Sequence, residues 1–275
     1  MRGWVLKLDP GVGSFRRHTG RFGLVQQLQG TSFENRVAQY QELRNNAPPG
    51  VVEAFDRNLK MSWIYHDSAI EGVVYTAEEL RSAIFEEEPD ESSQTPIYDE
   101  IRNNLAAIAL LEKNTHKKSF KMSLDAIKKF YALLAPEELE GRNQPTYRKE
   151  MPLHRLYFHE ISQPDKISYK MRQLVQWMTA PETKRSTHPV RLAARTHAQL
   201  LYIYPFPRQS GKVARLVMNL ILARHGYPTV VLHATQRQRY YEALKNGEDA
   251  VADFVNLALI SSVESSISYL ETQVG

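Results

Sequence analysis

Residues 188–228 read HPVRLAARTHAQLLYIYPFPRQSGKVARLVMNLILARHGYP, and this stretch decides the fold. Apolar residues recur at helical spacing from Pro189 to Tyr202 and again over residues 211–225. In the second segment they point in nearly every direction around the helix, which is typical of a helix at the centre of a domain. We therefore predict two core helices joined by a proline-containing loop.

Three polar residues interrupt the apolar pattern of the second helix, namely Lys212, Arg215 and Asn219. Residues at this spacing lie on one face of a helix. Because a buried charge requires a partner, this face is expected to meet either an ion-pair partner or a polar cavity.

The loop and the start of the second helix form a candidate site for an anion or a phosphate group. A glycine lets a ligand approach the backbone closely, and a helix N-terminus offers free N–H groups and the positive end of the helix dipole. The alternative, equally compatible with the spacing, is that the cations pair with acidic neighbours. The candidate binding residues are Arg208, Ser210, Gly211, Lys212 and Arg215.

The rest of the chain also reads as mainly helical, and we predict an all-α fold. Gly72 is a natural helix end, and Thr76 with Glu79 forms a capping box for the next helix. The segment Tyr147–Ile161 has no helical period and predicts a small β-hairpin. Further helices are predicted at residues 33–45, 51–66, 77–87, 97–115, 123–135, 167–179, 235–245 and 248–271.

Composition narrows the classes of protein and of site. The chain has 275 residues, no cysteine and a net charge of +4, so thiolate chemistry and disulfides are excluded. No uninterrupted apolar run approaches the roughly 18–20 residues of a membrane helix. We expect a cytoplasmic protein with a basic N-terminal arm and short helix (residues 1–50), a second N-terminal region (51–95, ending in an acidic linker) and a core (96–275).

The motifs around the candidate site resemble those of the Fic (Fido) family. The family signature is H-P-F-x-[D/E]-G-N-G-R-x-x-R, preceded by a helix that begins HPV and followed by a G-Y-P turn. This chain has His188-Pro189-Val190 before the loop and Gly226-Tyr227-Pro228 after it. The resemblance covers roughly residues 55–271. It implies the helical Fic fold, a hairpin flap, and transfer of AMP from ATP to a protein hydroxyl.

The signature itself departs from the family pattern at the positions that carry its chemistry. Tyr204 stands at the position of the catalytic His, and Arg208 at that of the metal-binding acid. A general base must be able to take up a proton near neutral pH. His, with a pKa of about 6.5, can do so, whereas Tyr, with a pKa of about 10, is mostly protonated already. Mg²⁺ requires hard oxygen ligands, which an arginine does not supply. Gln209, Ser210 and Lys212 replace Gly, Asn and Arg, while Pro205, Phe206, Gly211 and Arg215 are kept.

Glu71 is the candidate regulatory residue. The segment Asp67–Gly72 is similar to the family's inhibitory motif, [S/T]-x-x-x-E-[G/N], in which the Glu pairs with the second signature Arg. Here the corresponding pair is Glu71 with Arg215, and Asp67 replaces Ser or Thr. Such a pair would have either a structural role, since a buried Arg needs its carboxylate, or the role of a switch that an anionic ligand displaces.

The sequence therefore predicts a degenerate Fic-like pseudoenzyme without Mg²⁺-dependent AMP transfer, acting by binding a protein or an anionic ligand. The alternative is an active transferase with another phosphate or sugar-phosphate donor. We expect no metal site. The candidate ligand is ATP or another phosphate compound, bound without Mg²⁺. A protein partner is expected, a membrane or nucleic acid is not, and a homodimer stays open.

Overall fold

The computed structural model describes residues 31–85, 95–139, 141–152 and 159–274. Within these ranges the chain forms α-helices and two short 3₁₀ turns, Pro136–Leu139 and Ala234–Gln236, and no β-strand, so the all-α prediction is confirmed. The helices are α1 Thr31–Asn46, α2 Pro49–Glu71, α3 Ala77–Ile84, α4 Thr95–His116, α5 Leu124–Leu134, α6 Pro164–Thr179, α7 Pro181–Ser186, α8 Pro189–Ile203, α9 Ser210–Ala223, α10 Arg237–Asn246 and α11 Glu248–Val274.

The centre of the fold is the pair α8 and α9, as the sequence predicts. Every residue from Ser210 to Leu222 is buried. Helix α9 packs against α8, α4, α5 and α2, and α8 also contacts α6 and α11. The apolar residues all around α9 are explained by this enclosure on every side.

Helix α2 is longer than the predicted helix over residues 51–66 and continues to Glu71. Gly72 ends it, as its residue type predicts, with φ 97°, a conformation that a glycine adopts without strain. The Thr76 hydroxyl accepts a hydrogen bond from Glu79 N, and the Glu79 carboxylate accepts one from Thr76 N. This capping box begins α3 and confirms the prediction.

Three predicted segments lie partly or wholly outside the described residues. They are the N-terminal arm over residues 1–30, most of the acidic linker at 86–94, and the centre of the predicted hairpin at 153–158. The described flanks of the hairpin pair with the end of α8, because Arg148 N donates to Pro205 O at 2.9 Å and Ser162 N to Tyr202 O at 2.8 Å.

Helix α11 is long and apolar. By length and composition alone, residues Glu248–Gln273 would suffice to cross a membrane, with a mean hydropathy of 1.3. Sequence reasoning passed over this segment because polar residues interrupt its apolar run. In the structure it packs against α1, α2, α8 and α10, and the side chains of Val251, Val255, Leu259 and Val263 are buried.

Candidate functional site

The loop that joins α8 to α9 is held in the protein interior. Tyr204 ends α8 with φ 46°, a left-handed conformation that is uncommon for a residue with a side chain. Its side chain is buried, with 1% of the residue exposed. Phe206 stacks on Tyr131 with ring centroids 4.0 Å apart. The residue at the family's catalytic position is therefore part of the core rather than of an open cleft.

Arg148, at the start of the predicted hairpin segment, fixes this turn. Its Nε donates to Tyr204 O at 2.7 Å, and its Nη2 donates to Ser162 O and to Ile203 O. The guanidinium is buried and its hydrogen bonds go mainly to main-chain carbonyl groups, of which those of Ile203 and Tyr204 lie at the negative end of the α8 dipole. Burial lowers the pKa of Arg148 from its usual value.

Ser210 serves the loop itself. Its Oγ accepts a hydrogen bond from Phe206 N at 2.9 Å and donates one to Phe206 O at 3.1 Å. The residue is 1% exposed. In this conformation the hydroxyl that was predicted to bind a ligand instead closes the turn before α9.

Arg208 points away from the rest of the predicted cation cluster. It forms ion pairs with Glu137 and with Glu138, the latter at 3.3 Å, on the 3₁₀ turn after α5. Its side chain is half-exposed. A cation already bound to two carboxylates is not a ligand for Mg²⁺.

Lys212 is paired inside the protein. Its Nζ lies 3.0 Å from Glu100 Oε1 on α4, and the side chain is 1% exposed. Gln209 Nε2 donates to the same oxygen at 3.5 Å. Burial acts to raise the pKa of Glu100, but the charge of Lys212 and the hydrogen bonds from Lys212, Tyr75 and Gln209 together outweigh it, and the net shift is downward. The ionised pair is the stable form at neutral pH.

Arg215 binds both acids of the segment that resembles the inhibitory motif. Its Nε donates to Asp67 Oδ1 and its Nη2 to Glu71 Oε1 at 2.9 Å. The exposed fractions of the Arg215, Asp67 and Glu71 side chains are 3%, 7% and 11%. Burial acts to lower the pKa of Arg215, but Asp67 and Glu71 together raise it well above its usual value. We refer to these three residues as the Arg215 cluster.

Gly211 is required by this cluster. A Cβ atom on residue 211 would collide with the Glu71 carboxylate and would lie 3.0 Å from Arg215 Nη1. The close approach that the sequence predicts for a ligand phosphate is thus made by the carboxylate of Glu71. The start of α9 is covered by an acid of the same chain.

Behind Arg215 lies a buried pair formed by Tyr240 and His197. Arg215 Nη1 donates to the Tyr240 hydroxyl at 3.5 Å, and that hydroxyl lies 2.9 Å from His197 Nε2. Burial, with the nearby Arg215 charge, lowers the pKa of His197 to about 3, so the imidazole is neutral and its Nε2 accepts from Tyr240. His197 is thus a hydrogen-bonded core residue.

Asn219, the third polar residue on this face of α9, has a structural role. Asn219 Nδ2 donates to Val230 O at 3.0 Å, and its Oδ1 accepts from Val230 N at 2.8 Å. The structure therefore answers the question that the spacing left open: Lys212 and Arg215 face ion-pair partners, and Asn219 binds a backbone segment.

Sequence reasoning missed the partners of the cations. Glu100, Glu137 and Glu138 carry no local signal, since they lie far from residues 208–215 in the chain. Asp67 could have been found, because it lies four residues before Glu71 and so shares its helix face. Among the described residues no group of three His, Asp or Glu side chains converges in a way that could hold a metal ion. Because an arginine stands at the metal position, the residues present do not fit Mg²⁺ there.

The fold and this loop define a class of helical protein, which comparison with known proteins identifies. Residues 121–222 match the model of the Fic/DOC family. A Fic domain containing signaling protein from Bacteroides thetaiotaomicron superposes with a TM-score of 0.73 at 19% identity, covering 90% of this chain and 98% of that one. Fic-1 from C. elegans gives 0.70 at 22% identity, covering 93% and 79%. Residues 121–222 thus match a Fic/DOC domain and the chain has its fold, which confirms the resemblance.

Curated relatives are similar over part of their length. Protein adenylyltransferase Fic from Drosophila mojavensis is 28% identical over 184 residues, which are 66% of this chain and 35% of that protein. The protein of the same name from Culex quinquefasciatus is 28% identical over 203 residues, which are 70% of this chain and 39% of that protein. This chain therefore spans little more than a third of the curated relatives that it matches.

Proposed function

We propose that this protein is a Fic-fold pseudoenzyme that does not transfer AMP with Mg²⁺ and that acts by binding another protein. One observation carries the proposal. Each cation at the start of α9 and in the loop before it is already paired, so that Arg208, Lys212 and Arg215 meet five carboxylates. The net charge of these eight side chains is therefore negative, which opposes the binding of a nucleoside triphosphate.

The residue at the family's catalytic position supports the same conclusion. A general base must reach the proton that it removes. Tyr204 is buried and its backbone is fixed by Arg148, so that a substrate hydroxyl has no path to its side chain without a rearrangement of the loop. Loss of a general base lowers a rate by roughly two to four orders of magnitude.

A protein partner suits this face better than a small anion does. Directly after Glu71 the loop between α2 and α3 exposes Val73 (40%) and Val74 (68%), two of the few large apolar side chains exposed in the described part of the chain. Apolar side chains exposed side by side contribute to the kind of contiguous patch that marks protein interfaces. A cytoplasmic location and the absence of membrane and nucleic-acid partners remain part of the proposal, and a homodimer stays open.

A second candidate function is an active transferase that uses another phosphate or sugar-phosphate donor. It is favoured by the 28% identity to curated relatives that are named protein adenylyltransferase Fic. It is also favoured by the signature residues that this chain keeps, which are Pro205, Phe206, Gly211 and Arg215.

The two functions differ in a labelled product. The purified chain is incubated with α-labelled ATP and Mg²⁺ or Mn²⁺ in the presence of candidate protein targets, beside an Arg215→Ala control. The proposal expects no protein-bound label, and it expects that binding to a partner survives Tyr204→Phe unchanged. Label that disappears in the Arg215→Ala control would establish the transferase instead.

A further inference from the structure

We propose that Asp67 keeps phosphate ligands out of the α9 site even when Glu71 is removed. This inference rests on the proposed function, because it explains why the anion-binding elements that survive in the signature would stay unused. It assigns to Asp67 the role of a residue that determines which ligand charge the site accepts.

The two acids of the Arg215 cluster occupy different positions relative to the start of α9. Glu71 is the last residue of α2, and its carboxylate lies over Gly211, where a bound phosphate would approach the backbone. Asp67 lies one helical turn earlier, and its carboxylate contacts a different nitrogen of the guanidinium, Nε. A ligand at Gly211 therefore competes with Glu71 for space, whereas Asp67 stays in place.

Asp67 is also the more firmly held acid. It lies inside the helix, between neighbours such as Ile64 and Ser68 that are fully buried, and its own main-chain oxygen accepts from Arg215 Nη2 at 3.5 Å. Glu71 lies next to Gly72, whose φ of 97° ends the helix, and its side chain is the more exposed of the two. Glu71 is thus the acid that a ligand could displace.

Charge neutralisation continues after Glu71 is lost. The ion pair of Arg215 with Asp67 remains, so that the guanidinium carries no free positive charge toward the ligand. The Tyr240 hydroxyl accepts from Nη1, and Lys212 stays paired with Glu100. A phosphate entering this site would meet no net positive charge, so that nothing in the buried environment would compensate for its own negative charge.

The test is a calorimetric titration with ATP, with and without Mg²⁺, of the full chain and of three variants. Glu71→Gln removes the displaceable acid, and Asp67→Asn with Glu71→Gln removes both acids while keeping their shapes. Asp249→Asn, which removes an exposed carboxylate paired with Arg191, is the matched control for a change in net charge. Thermal melts establish that each variant is folded.

The wild type, the control and Glu71→Gln are expected to bind ATP with a dissociation constant weaker than about 1 mM. The double variant is expected to bind at least about tenfold more tightly. Binding by Glu71→Gln as tight as that of the double variant overturns the role of Asp67, and so does a folded double variant that does not bind. If the double variant does not fold, Asp67→Ser with Glu71→Gln, which also removes both acids, takes its place and must bind more tightly than Glu71→Gln.

These outcomes are distinct from failure of the proposed function. ATP bound by Glu71→Gln without transfer of AMP would refute the inference about Asp67 and leave the pseudoenzyme proposal standing. Transfer of AMP by any of these proteins would refute the proposed function, whatever the affinities are.

Discussion

Replacing Arg215 by methionine should destabilise the protein strongly, because it leaves two buried carboxylates without their cation. The side chains of Asp67 and Glu71 are 7% and 11% exposed. An ionised carboxylate only accepts hydrogen bonds, so each of these side chains needs a donor inside the protein. Removal of one partner from a buried ion pair costs about 3–5 kcal/mol. For a domain of this size each 1 kcal/mol lowers Tm by about 2–4 °C, so that a fall of roughly 10 °C is expected.

Thermal melts and urea unfolding followed by circular dichroism at pH 7 measure this effect. The triple variant Asp67→Asn, Glu71→Gln, Arg215→Met should recover most of the loss, since it carries no buried charge at this place. Arg191→Met, which breaks an exposed pair with Asp249, is the control and should leave Tm almost unchanged.

The Arg215→Met variant should also depend on pH in a defined direction. Without the guanidinium, the folded variant holds two carboxylates in a buried place with no cation, and burial without a cation disfavours the charged form of an acid. Uptake of protons at lower pH therefore relieves part of the cost of folding this variant. The deficit relative to wild type should therefore shrink between pH 7 and pH 5. A deficit below about 1 kcal/mol at pH 7, or one that grows on acidification, would refute the buried ion pair.

Three further perturbations test other parts of the site. Gly211→Ala should lower Tm, because the new Cβ collides with the Glu71 carboxylate, and Glu71→Gly in the same chain should relieve the loss. Gly50→Ala is the control and should not lower Tm, because nothing lies within 4 Å of its new Cβ. Equal changes in Tm for Gly211→Ala and Gly50→Ala would refute the contact. Burial and the neighbouring His233 lower the pKa of His66 to about 4. As pH falls from about 6.5 toward 4, His66 therefore binds a proton in the unfolded chain but not in the folded one, which favours unfolding. Urea midpoints should therefore decrease over that range, less so in His66→Gln, and identical slopes would argue against it. Arg148→Met should increase amide hydrogen exchange at residues 202–206, because the carbonyl groups at the end of α8 lose their donors, and unchanged exchange there would contradict that role.

The parts of the fold that the sequence predicts are those determined by local patterns. The apolar surroundings of α9, the end of α2 at Gly72 and the capping box at Thr76 each depend on residues within a few positions of one another. The contact between Glu71 and Arg215 could be expected only through the family resemblance, since 144 residues separate the two.

What the sequence could not predict are the partners of the other cations. Lys212 pairs with Glu100, which lies 112 residues away on α4, and nothing in the local sequence of either residue indicates this contact. The short helix α7, Pro181–Ser186, was also missed, because six mostly exposed residues give no apolar period. The choice between an open anion site and a paired set of cations therefore required the tertiary structure.

Transfer of AMP by the double variant Asp67→Asn, Glu71→Gln tests the central claim most directly, since this variant removes both acids of the Arg215 cluster and leaves the altered signature to act alone. The variant is incubated with α-labelled ATP and either Mg²⁺ or Mn²⁺, and label on any protein, including the chain itself, is measured against the same variant with Arg215→Ala. The account predicts no label above that background with either metal. Label that requires Arg215 would show that Tyr204 and Arg208 support transfer, and would contradict the account.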